Sequence, residues 1–226
     1  MEEYLDVLQK CSIFEGMENE YIKNILKEKN YKIVNYNKGD IIAIEDSECE
    51  YIGIVLSGSV EIENIYESGR SLTIQRFIEG STFGEAIVFS TRKTYPATVI
   101  ASVKSNIMFI SNNTIIELCS SDKNFLWNFM SLLSEKVLMI NNKMKIISLS
   151  SIRQKLAKFI LEQVNIQKSE KIKLNINKKE LAEYLGIQRP SLSRELIRMQ
   201  EDGILESNKN EINVLDMNTL KEIMCK

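Results

Sequence analysis

The stretch Asn177–Met199 reads NKKELAEYLGIQRPSLSRELIRM. Asn177 followed three residues later by Glu180 is a reciprocal capping pattern, and it predicts a helix running to about Leu185. Gly186 supplies a turn. Small Ala182 lets a second helix approach closely, and Ile187, Leu192 and Leu196 supply apolar contacts between the two. The second helix is expected from Ser191 onward with Pro190 in its first turn, where a missing N–H costs nothing and the fixed φ fits. The chain has only two prolines, so this one marks a start rather than a break. Helix, glycine turn, helix is the helix-turn-helix arrangement, whose second helix offers its N-terminal residues to base edges in the major groove.

Arg189 and Arg194 are expected on the leading side of that helix. Arginine grips guanine O6 and N7 bidentately, worth about 1–3 kcal/mol of discrimination. Pro190 stiffens the tip. Gln188, Ser191, Asn177 and Lys179 are expected at phosphates, where they fix register rather than read sequence. Downstream, Gly203–Leu215 reads as two short strands around Asn208–Asn210, a hairpin wing. The plainer reading is two solvated arginines in a chance match. Charge helps to decide between them. Residues 1–149 carry 15 Lys/Arg against 20 Asp/Glu, and residues 150–226 carry 14 against 11, so a net charge of −2 hides halves of −5 and +3. Cap, turn, arginine pair, wing and basic half together favour double-stranded DNA as the partner.

Upstream, residues 123–148 predict one long helix. Leu126, Met130, Leu133, Val137, Ile140, Met144 and Ile147 recur at alternating steps of four and three. An apolar period of 3.5 specifies a contact with another helix, most economically its own copy, and so a homodimer. Phe125, Phe129 and Leu132 lie off that seam and would pack on the preceding region. The competing reading is a single amphipathic helix buried within its own chain. Ser148–Ser151 reads as a hinge. Beyond it lie an amphipathic helix over Ile152–Asn165 and a strand over Lys171–Ile176.

From Tyr31 to Ile110 short β-rich runs alternate with turns: Ile41–Ile44, Tyr51–Leu56, Val60–Glu63, Ser71–Ile74, Thr98–Ala101 and Ile107–Ile110. Gly39, Gly58, Gly69 and Gly80 occupy turns. Such spacing implies a small barrel or roll. Composition bounds the rest. Hydrophobic content of 44% and charged content of 27% are those of a soluble globular protein, with no run long enough for a membrane. The acidic start Met1–Asp6 lacks a signal-peptide pattern, and a cytoplasmic location is expected. Histidine is absent, which removes a catalytic triad, a histidine zinc site and a histidine-ligated haem. Cys11, Cys49, Cys119 and Cys225 form no cluster for an iron–sulfur centre. Thiol sensing by one of the first three stays open beside the commoner state, inert burial. No enzyme is expected, and no cofactor is evident.

With these residues in hand, nearly the whole chain resembles the Crp–Fnr superfamily of bacterial transcription regulators. The likeness rests on Ile13-Phe14, Lys38–Ile42, Leu56–Val60, Phe83–Glu85, the long helix and the winged helix-turn-helix. It implies an α+β chain with three parts. Residues 1–122 would form a jelly-roll-like double-stranded β-helix as sensor, residues 123–148 a dimerisation helix, and residues 149–226 a winged helix-turn-helix. In cyclic-AMP-binding members a Gly-Glu pair and a later Arg-Ser pair cradle the nucleotide. Gly84 and Glu85 match the first. Tyr95 and Pro96 stand where the second is expected, and neither can balance a phosphate. The adenine-contacting Thr-Ser pair falls on Ile140 and Asn141. Gly84, Glu85, Tyr95, Pro96, Ile140 and Asn141 therefore make a candidate effector pocket in which cyclic AMP is disfavoured. The resemblance also implies a difference in recognition: the cyclic-AMP-binding receptor has a glutamate where Pro190 stands, so the operator should differ there. The expected function is a homodimeric regulator of a near-palindromic operator, controlled by another small effector, with RNA polymerase a further partner for activation. An effector-independent regulator, a non-DNA ligand-binding module and a cupin-like enzyme are the alternatives.

Overall fold

A computed structural model describes residues 2–27, 29–66, 71–208 and 210–225. The chain divides into two compact units, residues 1–135 and residues 136–226. No helix among the described residues is long and apolar enough to cross a membrane.

The first unit opens with α1 (Leu5–Lys10) and α2 (Asn19–Leu26), followed by β1 (Tyr31–Tyr36), β2 (Ile41–Ala43), β3 (Tyr51–Ser57), β4 (Ser59–Ile65), β5 (Ser71–Ile78) and β6 (Thr82–Phe83). After α3 (Glu85–Val88) come β7 (Thr98–Ala101), β8 (Ser105–Ser111), α4 (Asn112–Ser121) and the start of α5 (Lys123–Ile147). The strands make two antiparallel sheets, ordered β1-β8-β3-β6 and β2-β7-β4-β5. Their inner faces share one apolar core, with Ile52 and Ile54 from β3, Ile107 and Met108 from β8, Val60 from β4 and Val99 from β7. This is the expected antiparallel roll. Two differences have physical causes. β5 runs past Ile74 to Ile78 because Arg76 bonds Glu61 across the strand pair, so a charged residue is at home there. The second is α4, which no sequence periodicity marks; the Ser111 hydroxyl caps it by accepting from the Thr114 N–H.

Turn residues behave as their backbone demands. Gly39, Gly58 and Gly80 take positive φ, where a Cβ would be strained; Gly69 lies outside the described residues. Gly53 is different, because its role is proximity: a Cβ there would sit 2.2 Å from the Phe83 ring. Phe83 in turn meets Phe77 at a tilt and Phe109 edge to face, with ring centroids 6.0 and 6.3 Å away.

The long helix begins where expected. Asp122 ends α4 and starts α5, its carboxylate accepting from the Phe125 N–H at 2.8 Å and from the Tyr21 hydroxyl. Phe125, Phe129 and Leu132 are buried in the roll's core. On the seam, Leu126, Met130, Val137, Ile140, Met144 and Ile147 are exposed, while Leu133 is half-buried against the core.

The second unit takes in the end of α5 and adds α6 (Ile152–Gln167), β9 (Lys171–Lys173), α7 (Lys178–Leu185), α8 (Arg189–Glu201), β10 (Leu205–Ser207), β11 (Glu211–Val214) and α9 (Met217–Glu222). Its own core gathers Ile146, Leu156, Phe159, Ile160, Leu181, Leu185, Leu192, Leu196 and Met199. β10, β11 and β9 form a three-stranded antiparallel sheet. The wing is therefore a hairpin with a third strand from Lys171–Lys173 alongside.

Candidate functional site

Helix α7 starts as its sequence requires. The Asn177 side-chain oxygen accepts from the Lys179 and Glu180 N–H groups at 2.9 and 3.1 Å, and Glu180 returns the bond to the Asn177 N–H at 2.8 Å. Gly186 closes the helix at φ 63°, with its N–H and that of Ile187 meeting the last carbonyls. Three extended or turn residues later α8 begins. It starts at Arg189 rather than Ser191: Gln188 is extended, and Pro190 is the second helical residue, where its ring costs nothing. Leu192, Leu196 and Met199 bury one face of α8 against the core.

The opposite face is polar and open. Arg189, Pro190 and Arg194 are exposed, and Ser191 is half-buried. Among the described residues neither arginine is held in an ion pair, so both guanidinium groups keep their donors for another partner. Asn177, Lys178, Lys179, Arg189 and Asn210 line an open notch of about 450 Å³. The notch thus joins the start of α7, the tip of α8 and the end of the wing turn. Lys179 stands 3.8 Å from Glu183, both exposed, a pairing of little consequence. Asn177 has spent its side-chain oxygen on capping, so only its amide NH2 can reach outward. Lys178 and Asn210 escaped the sequence reading. Adjacent lysines at a helix start signal the first, and the wing turn places Asn210, which the notch brings beside them.

In the first unit, Gly84 sits at φ 85° before α3, and a Cβ there would come 2.9 Å from the Tyr51 carbonyl. Glu85 follows and is buried. Tyr95 is also buried, its hydroxyl sharing a hydrogen bond with the Cys49 thiol. The same sulfur lies 3.6 Å from the Tyr51 carbonyl and 3.9 Å from that of Gly84. Burial pushes both the Cys49 thiol and the Tyr95 phenol above their ordinary values, so both are neutral near pH 7. The structure thus gathers Gly84, Glu85 and Tyr95 around Cys49. It leaves Pro96 exposed at the surface. Ile140 and Asn141 belong to the second unit and are exposed. Arg92, a cation in the same loop, is exposed and pairs with Asp46 at 2.9 Å. Cys11 is buried, Cys119 half-buried, and neither forms a disulfide; the Cys225 side chain lies outside the described residues. No group of three or more His, Cys, Asp or Glu suited to a metal occurs among the described residues.

Comparison with known proteins places both units. Residues 33–122 match the family described as the cyclic nucleotide-binding domain, and residues 154–223 match the Crp-like helix-turn-helix domain. The transcriptional regulator SdrP of Thermus thermophilus is 23% identical over 173 residues, covering 75% of this chain and 81% of that protein. A doubly substituted CooA from Carboxydothermus hydrogenoformans superposes with a TM-score of 0.64 at 22% identity, covering 93% of this chain and 92% of that one. CprK complexed with OCPA gives 0.69 at 16% identity, covering 89% and 92%. These two likenesses are of fold.

Proposed function

The chain belongs to the Crp–Fnr family of DNA-binding transcription regulators, and from that premise we propose that it works as a homodimer on a near-palindromic operator under a small effector other than cyclic AMP. One observation carries the dimer. Six apolar side chains at coiled-coil spacing on α5 are exposed in the single chain, among them Val137, Ile140 and Met144 at more than half of their surface. Such a stripe needs a cover, and a second copy supplies an identical one. The two-fold axis that results sets two α8 tips one helical repeat apart on DNA, about 34–36 Å.

At each tip, Arg189 and Arg194 read base edges. Gln188, Ser191, Lys179, Lys178 and the Asn177 amide hold the phosphates, and Pro190 fixes the tip. The reading that cyclic AMP is not the effector draws on Tyr95. A buried neutral phenol stands where the family's phosphate-binding pair is expected, and the exposed Arg92 is engaged with Asp46. The same closed Tyr95–Cys49 contact favours the second reading, an effector-independent regulator. Native mass spectrometry of freshly purified protein separates the two: a retained small molecule supports the effector, and a bare dimer whose operator affinity ignores metabolite extracts supports constitutive binding.

Sedimentation tests the dimer. Val137→Glu puts a carboxylate on the seam opposite its own copy, and a monomer is expected at concentrations where the parent is dimeric. A dimer of unchanged strength would remove the seam from the interface.

A further inference from the structure

Glu195 is the one charged residue in the buried stripe of α8, between Leu192 and Met199. Its carboxylate accepts from the Nε of Arg153 at 2.6 Å, and another nitrogen of the same guanidinium lies 2.7 Å from Asp202 at the end of α8. Arg198 approaches Glu195 more loosely, at 3.7 Å, and is exposed. Glu195 and Asp202 are seven residues apart, about two helical turns, so they lie on one line along the helix. A single planar fork from α6 therefore grips the recognition helix at two heights on one side. The hydrocarbon contacts of Leu192, Leu196 and Met199 hold α8 against the core, but apolar packing alone tolerates small rotations better than a charged bidentate contact does.

Arg153 occupies the first turn of α6, just after the Ser151 cap. A cation is unfavourable there, because the positive end of the helix dipole faces it. Local helix preference does not explain the residue, and the contact to Glu195 and Asp202 does. What the contact fixes matters for reading DNA. Rotating α8 by about ten degrees displaces a guanidinium some 6 Å from its axis by roughly 1 Å, which is enough to spoil a bidentate bond to a base.

We infer that Arg153, which touches no base, is a positioning residue for sequence reading: it locks the rotational setting of α8 through Glu195 and Asp202. This rests on the assignment of α8 as the reading helix. Arg153→Ala should lower affinity for an operator selected from random duplexes by about tenfold or more, with little change on non-operator duplex. Phosphate contacts survive a small rotation, so the slope of affinity against salt should stay as in the parent. Asp202→Asn, at an exposed position, should show the same loss of selectivity in weaker form. Arg153→Lys, which keeps the charge without the fork, should restore only part of it.

The full-length protein is used throughout, with thermal melting beside each titration. If Arg153→Ala does not fold, Asp202→Asn and Arg153→Lys decide the matter. A folded variant that keeps the parent's operator preference, or one that loses operator and non-operator binding alike, overturns the inference. A parent protein with no sequence preference at all would instead overturn the assignment of α8.

Discussion

At the scale of single residues, two kinds of position stand out, those that reach outward and those that leave no room. Arg189 and Arg194 are the first kind. Replacing either by alanine should cut operator affinity by about 1–3 kcal/mol and relax preference at the base pair that it reads. Gel-shift titration against a panel of single-base operator variants measures this; unchanged preference in both variants contradicts the assignment. Gly53 is the second kind. Its missing Cβ admits the Phe83 ring, which is itself pinned between Phe77 and Phe109. Gly53→Ala should destabilise the first unit by about 1–3 kcal/mol through overpacking, read by urea unfolding. A stability equal to the parent's would show that the ring can yield. The exposed place of Arg189 and Arg194 on α8 was legible in the sequence, because a glycine turn followed by Pro190 marks a helix start. The tightness at Gly53 was not legible, since it depends on β6 pairing with β3 in the register that sets Phe83 opposite Gly53.

Elements were read best where periodicity and caps agree. The Asn177–Glu180 box formed with both reciprocal bonds, and the apolar recurrence over 123–148 became α5 to within a residue. Where the pattern is short, structure is missed: α4 spans Asn112–Ser121 with only Thr114, Ile115 and Leu118 buried, and β6 spans two residues. Ile146 was missed for a different reason. It lies one residue off the seam and is fully buried in the second core, while Ile147 beside it is exposed. One helix face serves the seam and the next one anchors the reading unit.

The junction of α4 and α5 yields a pH prediction. Burial works to raise the Asp122 carboxyl, but the Tyr21 hydroxyl and the backbone N–H groups of Phe125 and Asn124 outweigh it, so the value lies below the ordinary one. A carboxyl lowered on folding adds stability above its unfolded value, and that stability is lost as pH falls through the folded value. Asp122→Ala should therefore cost about 1–2 kcal/mol near neutrality as a lost cap, with the gap to the parent closing in acid. A gap independent of pH would contradict the charged cap.

At the scale of the whole molecule, the chain is two units joined through α5, each with its own core. The overall plan was legible because the winged reading unit, the seam and the roll each have a distinct period. Whether an effector binds was not, because a ligand is specified by a few side chains lining a cavity. Here Tyr95 closes on Cys49 at the position where the resemblance implies a phosphate contact, and a thiol forty-six residues away in sequence gives no local sign of it.

The central claim is that two copies, joined along α5, present two α8 tips in fixed spacing. Binding titrations on a selected operator test it most directly when about five base pairs, half a helical turn, are inserted between the half-sites. The second tip then faces the wrong side of the duplex, and the expected result is loss of high-affinity binding down to that of one half-site. Undiminished affinity for the lengthened operator, or for an isolated half-site, would contradict the claim.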